Sequence, residues 1–367
     1  MSKNIVVFID GTGCDGQRDK NTTNVWELHK ASLGREHLNR YLPGVGSGMW
    51  DIFGGLAGFG TKERLEETYN FLVKNHDDGD HIFLFGFSRG ALAVRLFASF
   101  LGYVGTLFGS RENRHYLPRV YQIYEASVLL NAADKFREYM RHFGETTPLP
   151  IHFLGVWDTV VEYWSPGGVP DIEKLPNHIS HARHALALHE RRGEMEPTLW
   201  RSWDSSRSFV QQVWFPGCHS DVGGGYPDSK LAEAPLSWMR DEASACGLHV
   251  ASIARSGAER ILHQERTRDA LIGCVATRTN GEGPRRALST FASLDPDAQL
   301  IESLFVHQVA CDELLDPIHN VKFLHYLTDF LDHSNAKDNG LRELKEIDQM
   351  TLQMFLDLRA HGKMPIK

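Results

Sequence analysis

The residues with the clearest capacity for chemistry form the stretch Gly86-Phe87-Ser88-Arg89-Gly90, in which a serine stands between two glycines. The apolar, strand-like run His81–Phe87 leads directly into it, and a helix-compatible segment, residues 91–101, follows. A turn this tight between a strand and a helix requires small flanking residues, which the two glycines supply. The serine hydroxyl is then exposed in a strained backbone conformation at a helix N-terminus, where developing negative charge is stabilised. The pattern predicts a nucleophilic Ser88, and the alternative is a plain glycine-flanked turn with a capping serine.

Serine chemistry at neutral pH needs a base, because a hydroxyl is a weak nucleophile. An imidazole suits that task, and a buried carboxylate fixes its tautomer and stabilises the imidazolium. Two such residues follow Ser88 at the ends of apolar runs: Asp158 after residues 151–157, and His219 after residues 210–215. The sequence therefore predicts Ser88, Asp158 and His219 as nucleophile, acid and base, with the acid and the base at successive strand ends.

Alternatives exist for both partners of the serine. Asp158 at a strand end is also a natural helix cap, and Asp221 is a second candidate for the acid. Asp221 could equally brace the loop that carries the histidine. The chain has 19 histidines, and His319 or His325 is the alternative base, since the histidine of such a triad often lies far toward the C-terminus.

An oxyanion hole needs two N–H groups directed at the developing charge. One should come from Arg89, the residue after the nucleophile. The other should come from the loop Gly11-Thr12-Gly13, whose small residues let the main chain approach a substrate closely. Asp10 precedes this loop, and we expect its carboxylate to hold the loop through backbone hydrogen bonds.

These residues need a scaffold, and the apolar pattern predicts one. Four short runs without polar alternation are typical of buried parallel strands: Asn4–Ile9, His81–Phe87, Ile151–Trp157 and residues 210–215. Helix-compatible segments lie between them, for example at residues 22–33, 62–74 and 91–101. Alternating strands and helices predict an α/β fold with a doubly wound, mainly parallel sheet, whose chemistry lies at the carboxyl ends of the strands.

The chain divides by pattern into a catalytic domain at residues 1–249 and a mostly helical C-terminal extension at residues 250–367 that packs on it. Two cap or lid insertions are predicted, around residues 40–60 and 105–147. The first is rich in glycine and carries apolar side chains such as Met49, Trp50 and Phe53. That composition suits a mobile loop beside an acyl-binding cleft, or equally a loop that packs over the core.

Composition excludes several classes of function. The net charge is −8, without a long basic run, so nucleic acid is not expected as a partner. Five scattered cysteines without CxxC spacing argue against a zinc site or a disulfide framework, and no metal or organic cofactor is expected. No signal peptide or transmembrane segment is recognisable. We expect cytoplasmic synthesis, and export by a route that needs no cleaved signal stays open.

Other enzyme classes fit the motifs poorly. The run Phe8-Ile9-Asp10-Gly11-Thr12 is similar to the Asp-x-Asp-Gly-Thr motif of metal-dependent phosphatases, but Phe8 occupies the position of their nucleophilic aspartate. No Gly-Lys-Ser/Thr sequence closes a phosphate loop. A non-catalytic protein that uses this fold for binding is the more serious alternative, although inactive proteins of such a kind usually lose the serine or the histidine.

Several motifs in order resemble an α/β-hydrolase domain family, long labelled only as of unknown function, that includes fungal proteins and bacterial type VI secretion lipase effectors with phospholipase activity. The resemblance covers about residues 4–245. The matching motifs are Phe8-Ile9-Asp10-Gly11-Thr12-Gly13, Gly44-Val45-Gly46, Gly86-Phe87-Ser88-Arg89-Gly90-Ala91, Gly155-Val156-Trp157-Asp158-Thr159-Val160 and Trp214-Phe215-Pro216-Gly217-Cys218-His219-Ser220-Asp221-Val222-Gly223-Gly224-Gly225-Tyr226. Residues 181–191 also look like the family's helix before the last strand.

The resemblance implies the same triad and a serine esterase that acts on acyl lipids, most simply a lipase or phospholipase. It further implies contact with a membrane surface, a possible role as a type VI secretion effector and, in that case, an immunity protein as partner. A carboxylesterase of the same family that acts on small esters is the alternative within this class.

Overall fold

The computed structural model describes residues 2–14, 22–34, 37–44, 62–129, 132–161, 172–187, 190, 192, 195, 197–215, 217–226, 230–253 and 304–306. Its strands are β1 (Asn4–Ile9), β2 (His37–Leu42), β3 (His81–Phe87), β4 (Ile151–Trp157), β5 (Ile179–Ala187), β6 (Phe209–Phe215) and β7 (Leu304–Val306). Its α-helices are α1 (Asn24–Ser32), α2 (Lys62–Asn75), α3 (Arg89–Val104), α4 (Leu117–Leu129), α5 (Ala133–Met140), α6 (His219–Gly223) and α7 (Glu233–Ala245). Short 3-10 turns lie at Leu107–Gly109, Arg114–Tyr116 and Arg141–Phe143.

The described strands form one sheet in the order β2-β1-β3-β4-β5-β6-β7, and every neighbouring pair is parallel. Parallel strands need crossover connections, and the described helices lie in four of them, β1–β2, β2–β3, β3–β4 and β6–β7. The arrangement confirms the predicted α/β class with a mainly parallel sheet. The four predicted strands are present, three with the predicted bounds and β6 beginning one residue earlier.

Helices cover both faces of the sheet, so it is doubly wound. Alternate residues of a strand point to opposite faces, and β1 shows this directly: Ile5, Val7 and Ile9 belong to one buried cluster, Val6 and Phe8 to the other. The first cluster contains side chains of α2, α3, α4 and α5, and the second contains side chains of α1 and α7. Burial on both faces explains why these strands are continuously apolar.

The chain reverses its direction of travel across the sheet at β1. It passes from β1 to β2 on one side and then returns to β3 on the other side of β1. Two crossovers that leave in opposite directions open a crevice at the carboxyl ends of β1 and β3. The loop after β1 and the turn after β3 therefore meet at this crevice, and they carry Gly11, Thr12 and Ser88.

Residues 179–187 form a strand, so the predicted helix over residues 181–191 is wrong where the structure describes it. Alanine, histidine and arginine dominate this segment, and by local preference they favour helix at least as much as strand. In the structure β5 lies between β4 and β6 and pairs with both. Strand preference depends on the sheet around the segment, so pairing on two sides outweighs local propensity.

Of the predicted C-terminal extension the structure describes residues 250–253 and β7, a three-residue strand that pairs with β6 and extends the sheet, so its mostly helical character stays a prediction. The region predicted as the second cap, residues 105–147, contains α4 and α5. It packs against α3 and α2: the Tyr124 hydroxyl donates to Leu96 O at 3.1 Å, the Thr146 hydroxyl donates to Tyr103 O at 2.6 Å, and the Phe108 N–H donates to the Tyr69 hydroxyl at 3.1 Å. A role as cap stays a prediction.

Three further predictions fall wholly or mostly outside the described residues: the glycine-rich insertion around residues 40–60, of which only 40–44 are described, the alternative bases His319 and His325, and most of the C-terminal extension. Within the described ranges, no helix combines the length and apolar character needed to cross a bilayer.

Candidate active site

Ser88 lies at a sharp turn between β3 and α3. Its backbone has φ 58° and ψ −126°, a positive-φ conformation that a non-glycine residue rarely adopts. Its N–H donates to Trp157 O at 3.0 Å, which ties the turn to the end of β4. A Cβ atom on Gly90 would stand 2.4 Å from Ile9 O, and one on Gly86 would stand 2.5 Å from Gly90 O. The main chain thus approaches so closely that the turn tolerates only glycine at both positions.

Ser88, His219 and Asp158 are brought together in one chain of hydrogen bonds. The Ser88 Oγ atom lies 2.8 Å from His219 Nε2, and His219 Nδ1 lies 2.6 Å from Asp158 Oδ2. All three residues are buried: Ser88 is 8% exposed, His219 5% and Asp158 0%. Such a geometry lets an imidazole accept the hydroxyl proton while a carboxylate holds the opposite ring nitrogen.

Asp158 is held at the end of β4 by contacts with β5. Its N–H donates to Ala185 O at 2.8 Å, and its Oδ1 accepts the Ala187 N–H at 3.1 Å. Its backbone φ of 43° is a left-handed conformation that non-glycine residues rarely adopt. β5 stands between the strands that lead to Asp158 and His219, so the expectation that these residues follow successive strands is wrong.

His219 begins the short helix α6, and Asp221 caps that helix. Asp221 Oδ2 accepts the N–H of Cys218, the N-cap residue, at 3.0 Å. The imidazole packs against the Phe87 ring, with 4.7 Å between ring centroids. Of the two candidate acids, Asp158 is therefore the one bonded to the imidazole, and Asp221 braces the main chain beside it.

The loop after β1 is organised by Asp10, which is 1% exposed. Its Oδ2 accepts the hydroxyls of Thr23 at 2.7 Å and Tyr41 at 2.6 Å, and its Oδ1 accepts the Gly11 N–H at 2.7 Å. The Gly11 N–H, predicted for the oxyanion hole, is thus engaged within its own loop. Thr12 is the other donor that was predicted from that loop.

Gly11 borders the nucleophile, and Thr12 follows it in the same loop. A Cβ atom on Gly11 would lie 3.5 Å from Ser88 Cβ, so the loop stands directly beside the serine. Among the residues that the structure describes, the buried hydroxyl of Thr12 finds no hydrogen-bond partner. A buried hydroxyl without a partner is unfavourable, and a ligand oxygen bound beside Ser88 would relieve it. Arg89, the other predicted donor, starts α3, where helix geometry supplies no acceptor within the helix for its N–H.

Sequence reasoning assigned no role to Glu190, yet it touches this site. Its Oε2 accepts the backbone N–H of His219 at 3.1 Å, and the residue is 1% exposed. The sequence feature that could have identified Glu190 is a carboxylate shortly after a strand, at the edge of the sheet where Ser88, Asp158 and His219 lie. It was hidden because residues 181–191 were predicted to be a helix.

The arrangement contains the groups that acyl transfer by a serine nucleophile requires. A hydroxyl, an imidazole and a carboxylate are joined by hydrogen bonds, and both the Gly11 loop and the start of α3 adjoin the serine. In the part of the chain that the structure describes, no group of three or more His, Cys, Asp and Glu side chains is placed to hold a metal ion.

Comparison with known proteins gives a family and several relatives. The family model described as "T6SS, Phospholipase effector Tle1-like, catalytic domain" matches residues 3–242. An uncharacterized protein of Saccharomyces cerevisiae is 28% identical over 223 residues, which cover 53% of this chain and 32% of that protein.

Two solved structures resemble the chain more distantly. An uncharacterized protein from Pseudomonas aeruginosa has 20% identity and a TM-score of 0.43, covering 67% of this chain and 46% of the other. The structure titled as the Tle1 effector bound to the VgrG spike of the type VI secretion system has 18% identity and a TM-score of 0.34, covering 62% and 51%. The chain thus spans about a third to a half of the length of these relatives.

Proposed function

The chain belongs to the Tle1-like catalytic-domain family of type VI secretion phospholipase effectors, and from that premise we propose that it is a serine hydrolase that cleaves acyl esters of phospholipids. The observation that carries the chemical part of this proposal is the hydrogen-bonded chain from Ser88 through His219 to Asp158. Family membership supports the lipid class of the substrate and a role as a secreted effector.

In the proposed first step Ser88 Oγ attacks the ester carbonyl carbon while His219 Nε2 takes the hydroxyl proton. The Oγ–Nε2 separation of 2.8 Å lies within the range that proton transfer needs. The carbonyl oxygen becomes an oxyanion. The imidazole becomes imidazolium, and the Asp158 carboxylate at 2.6 Å from Nδ1 stabilises that charge.

The oxyanion would be bound by the main-chain N–H groups of Arg89 and Thr12, with the Thr12 hydroxyl as an additional donor. The Gly11 N–H is assigned to loop organisation through Asp10 instead. Preorganised donors of this kind stabilise the tetrahedral intermediate without any reorganisation during the reaction. Asp10, with Thr23 and Tyr41, holds the loop in that position.

The intermediate then collapses, and the alcohol part of the ester leaves with the proton from His219, so that the acyl group remains on Ser88. Water, deprotonated by the same imidazole, attacks the acyl-enzyme and releases the fatty acid. Protons are conserved over the catalytic cycle. His219 takes and returns one proton in each half-reaction, and the required residues all belong to this chain.

Hydrolysis of defined phospholipids in mixed detergent micelles tests the proposal. Fatty acid and lysophospholipid release is followed by mass spectrometry, with Ser88→Ala as the matched inactive variant. The proposal predicts release by the wild type and a loss of at least about 10³-fold in Ser88→Ala. Equal release by both proteins would contradict it.

A carboxylesterase of small esters is the second candidate function, favoured by the same triad geometry, and a soluble p-nitrophenyl ester assayed in parallel separates the two. A phospholipase should turn over the micellar lipid with the higher kcat/KM. Effector status adds a secretion apparatus and a protective immunity protein as proposed partners, and a membrane surface as the place of action.

A further inference from the structure

Glu190 forms a second carboxylate contact with His219, separate from the Asp158 contact. It lies three residues beyond β5, at the edge of the sheet where β4 delivers Asp158 and β6 leads to His219. Its side chain is 0% exposed. A buried carboxylate is unfavourable unless it is paired and hydrogen bonded, so its surroundings show what holds it there.

Arg192 holds the Glu190 carboxylate from one side. Arg192 Nε donates to Oε1 at 2.9 Å and Nη2 donates to Oε2 at 2.8 Å, a two-point contact that fixes the plane of the carboxylate. The Arg192 main-chain N–H also donates to Oε1 at 2.8 Å. Burial by itself would raise the pKa of Glu190, but these bonds outweigh it and, with a smaller contribution from His219, lower the pKa to about 2. Glu190 is therefore ionised throughout the pH range in which a serine hydrolase works.

From the other side the same carboxylate accepts the His219 N–H at 3.1 Å. This N–H lies at the start of α6 and has no acceptor within the helix. The preceding N–H, of Cys218, is held by Asp221. Two carboxylates thus fix two successive peptide groups at the residue whose side chain joins Ser88 and Asp158.

We propose that Glu190 is a positioning residue for His219: its buried carboxylate, clamped by Arg192, fixes the main chain of His219 and places a second negative charge near the imidazole. This inference rests on the proposed serine-hydrolase function. Two consequences follow from it. The imidazole stays within bonding distance of Ser88 Oγ, and the imidazolium formed in the first step is stabilised by Glu190 as well as by Asp158.

Glu190→Gln is the direct test, because the amide keeps the volume and one acceptor oxygen but removes the charge. Using a soluble p-nitrophenyl ester, we expect kcat to fall on the order of 10- to 100-fold, with KM changed less than about twofold. The acidic limb of the kcat/KM–pH profile should move to lower pH, because the neutral amide no longer favours the protonated imidazole. A residue with a merely structural role would not move that limb.

Glu242→Gln is the matched control. Glu242 Oε2 accepts Arg183 Nε at 2.7 Å in another buried ion pair, with side-chain exposures of 14% and 3%, between α7 and the middle of β5. Its loss should lower the thermal midpoint without changing kcat or the pH profile. The double variant Glu190→Gln/Arg192→Gln removes both charges, so it leaves no unpaired cation if the single variant fails to fold.

The outcomes separate the two proposals. If the wild type neither hydrolyses the ester nor reacts with a fluorophosphonate, the proposed function fails. If the wild type is active and a folded Glu190 variant has the wild-type kcat and acidic limb, the positioning role is overturned. Failure of both Glu190 variants to fold, while Glu242→Gln folds, would make Glu190 a structural residue and overturn it as well.

Discussion

Replacement of Asp158, the proposed acid of the triad, by its amide in Asp158→Asn should abolish the proposed hydrolase activity through the tautomer of His219. The Asp158 carboxylate accepts two donors, the Ala187 N–H at 3.1 Å and His219 Nδ1 at 2.6 Å. An asparagine has only one acceptor oxygen. If that oxygen serves Ala187, the amide NH₂ faces His219 Nδ1 and makes this nitrogen the acceptor. The ring proton then sits on Nε2, 2.8 Å from Ser88 Oγ, where a base is required.

The reverse orientation of the amide is also unfavourable. It would restore the tautomer but set the NH₂ group against the Ala187 N–H, leaving buried donors unsatisfied at about 1–3 kcal/mol. We therefore expect kcat to fall by about four orders of magnitude, which is the cost of a wrong histidine tautomer in a serine triad. That loss corresponds to about 5.4 kcal/mol of transition-state stabilisation.

Asp221→Asn is the matched control, two residues from His219. Asp221 accepts the Cys218 N–H at 3.0 Å, and an asparagine oxygen can accept the same bond. We expect a change in kcat of less than about tenfold and a loss of cap stability of up to about 1 kcal/mol. Both variants are assayed with a p-nitrophenyl ester, and thermal unfolding verifies that they are folded. A larger loss in Asp221→Asn than in Asp158→Asn would refute the reasoning and make Asp221 the acid.

Three further predictions concern the oxyanion loop, the turn and the response to pH. Thr12→Val should lower kcat about 10- to 100-fold with little change in KM, whereas Thr12→Ser should keep most of the activity. Equal kinetic constants in the two variants would show that the Thr12 hydroxyl takes no part in the reaction. Gly90→Ala should destabilise the fold by about 1–3 kcal/mol in urea unfolding, because its Cβ would stand 2.4 Å from Ile9 O, and an unchanged midpoint would contradict this contact. Burial lowers the pKa of His29 from 6.5 to about 4, so the unfolded chain binds more protons below pH 6.5. The contribution of neutral His29 to stability should be complete above pH 6.5 and decline toward pH 4, so the thermal midpoint of the wild type should fall over this range. The midpoint of His29→Leu should fall less. Parallel dependence of the two midpoints on pH would exclude His29 as the cause.

Strands in the middle of the sheet were the most predictable part of the fold. β1, β3 and β4 are buried on both faces, so their sequences are short continuous apolar runs. Such runs stand out clearly from the mixed polar and apolar segments of the rest of the chain. β2 was not predicted because it is an edge strand, half-buried at five of its six positions, with polar residues among the apolar ones. A continuous apolar run therefore does not identify a strand at the edge of the described sheet.

β5 was interpreted as a helix because residues 181–191 resemble a helix of the family, and its own pattern did not indicate a strand. The sequence of β5 does not by itself favour a strand. The segment forms one because its main chain pairs with β4 on one side and with β6 on the other. Whether such a segment forms a strand depends on the strands beside it in the sheet. The periodicity of its own sequence therefore does not predict it.

The predictability of the candidate site follows the same division. Ser88 could be named because the turn around it demands glycines at fixed positions, and Asp158 and His219 because they end apolar strands. Glu190 could not, because its importance depends on the course of β5 and on Arg192. One oxyanion donor was predicted at Arg89 and the other from the loop Gly11-Thr12-Gly13, but the hydrogen bond that engages the Gly11 N–H with Asp10 could not be predicted from the sequence.

Fluorophosphonate labelling followed by peptide mass spectrometry tests the central claim most directly. The wild type should gain one phosphonyl group, and that group should map to Ser88. Ser88→Ala should gain none, and His219→Ala should react at least about 10³-fold more slowly, because serine and base act as a unit. Labelling of another serine, or equal labelling rates in all three proteins, would contradict the account.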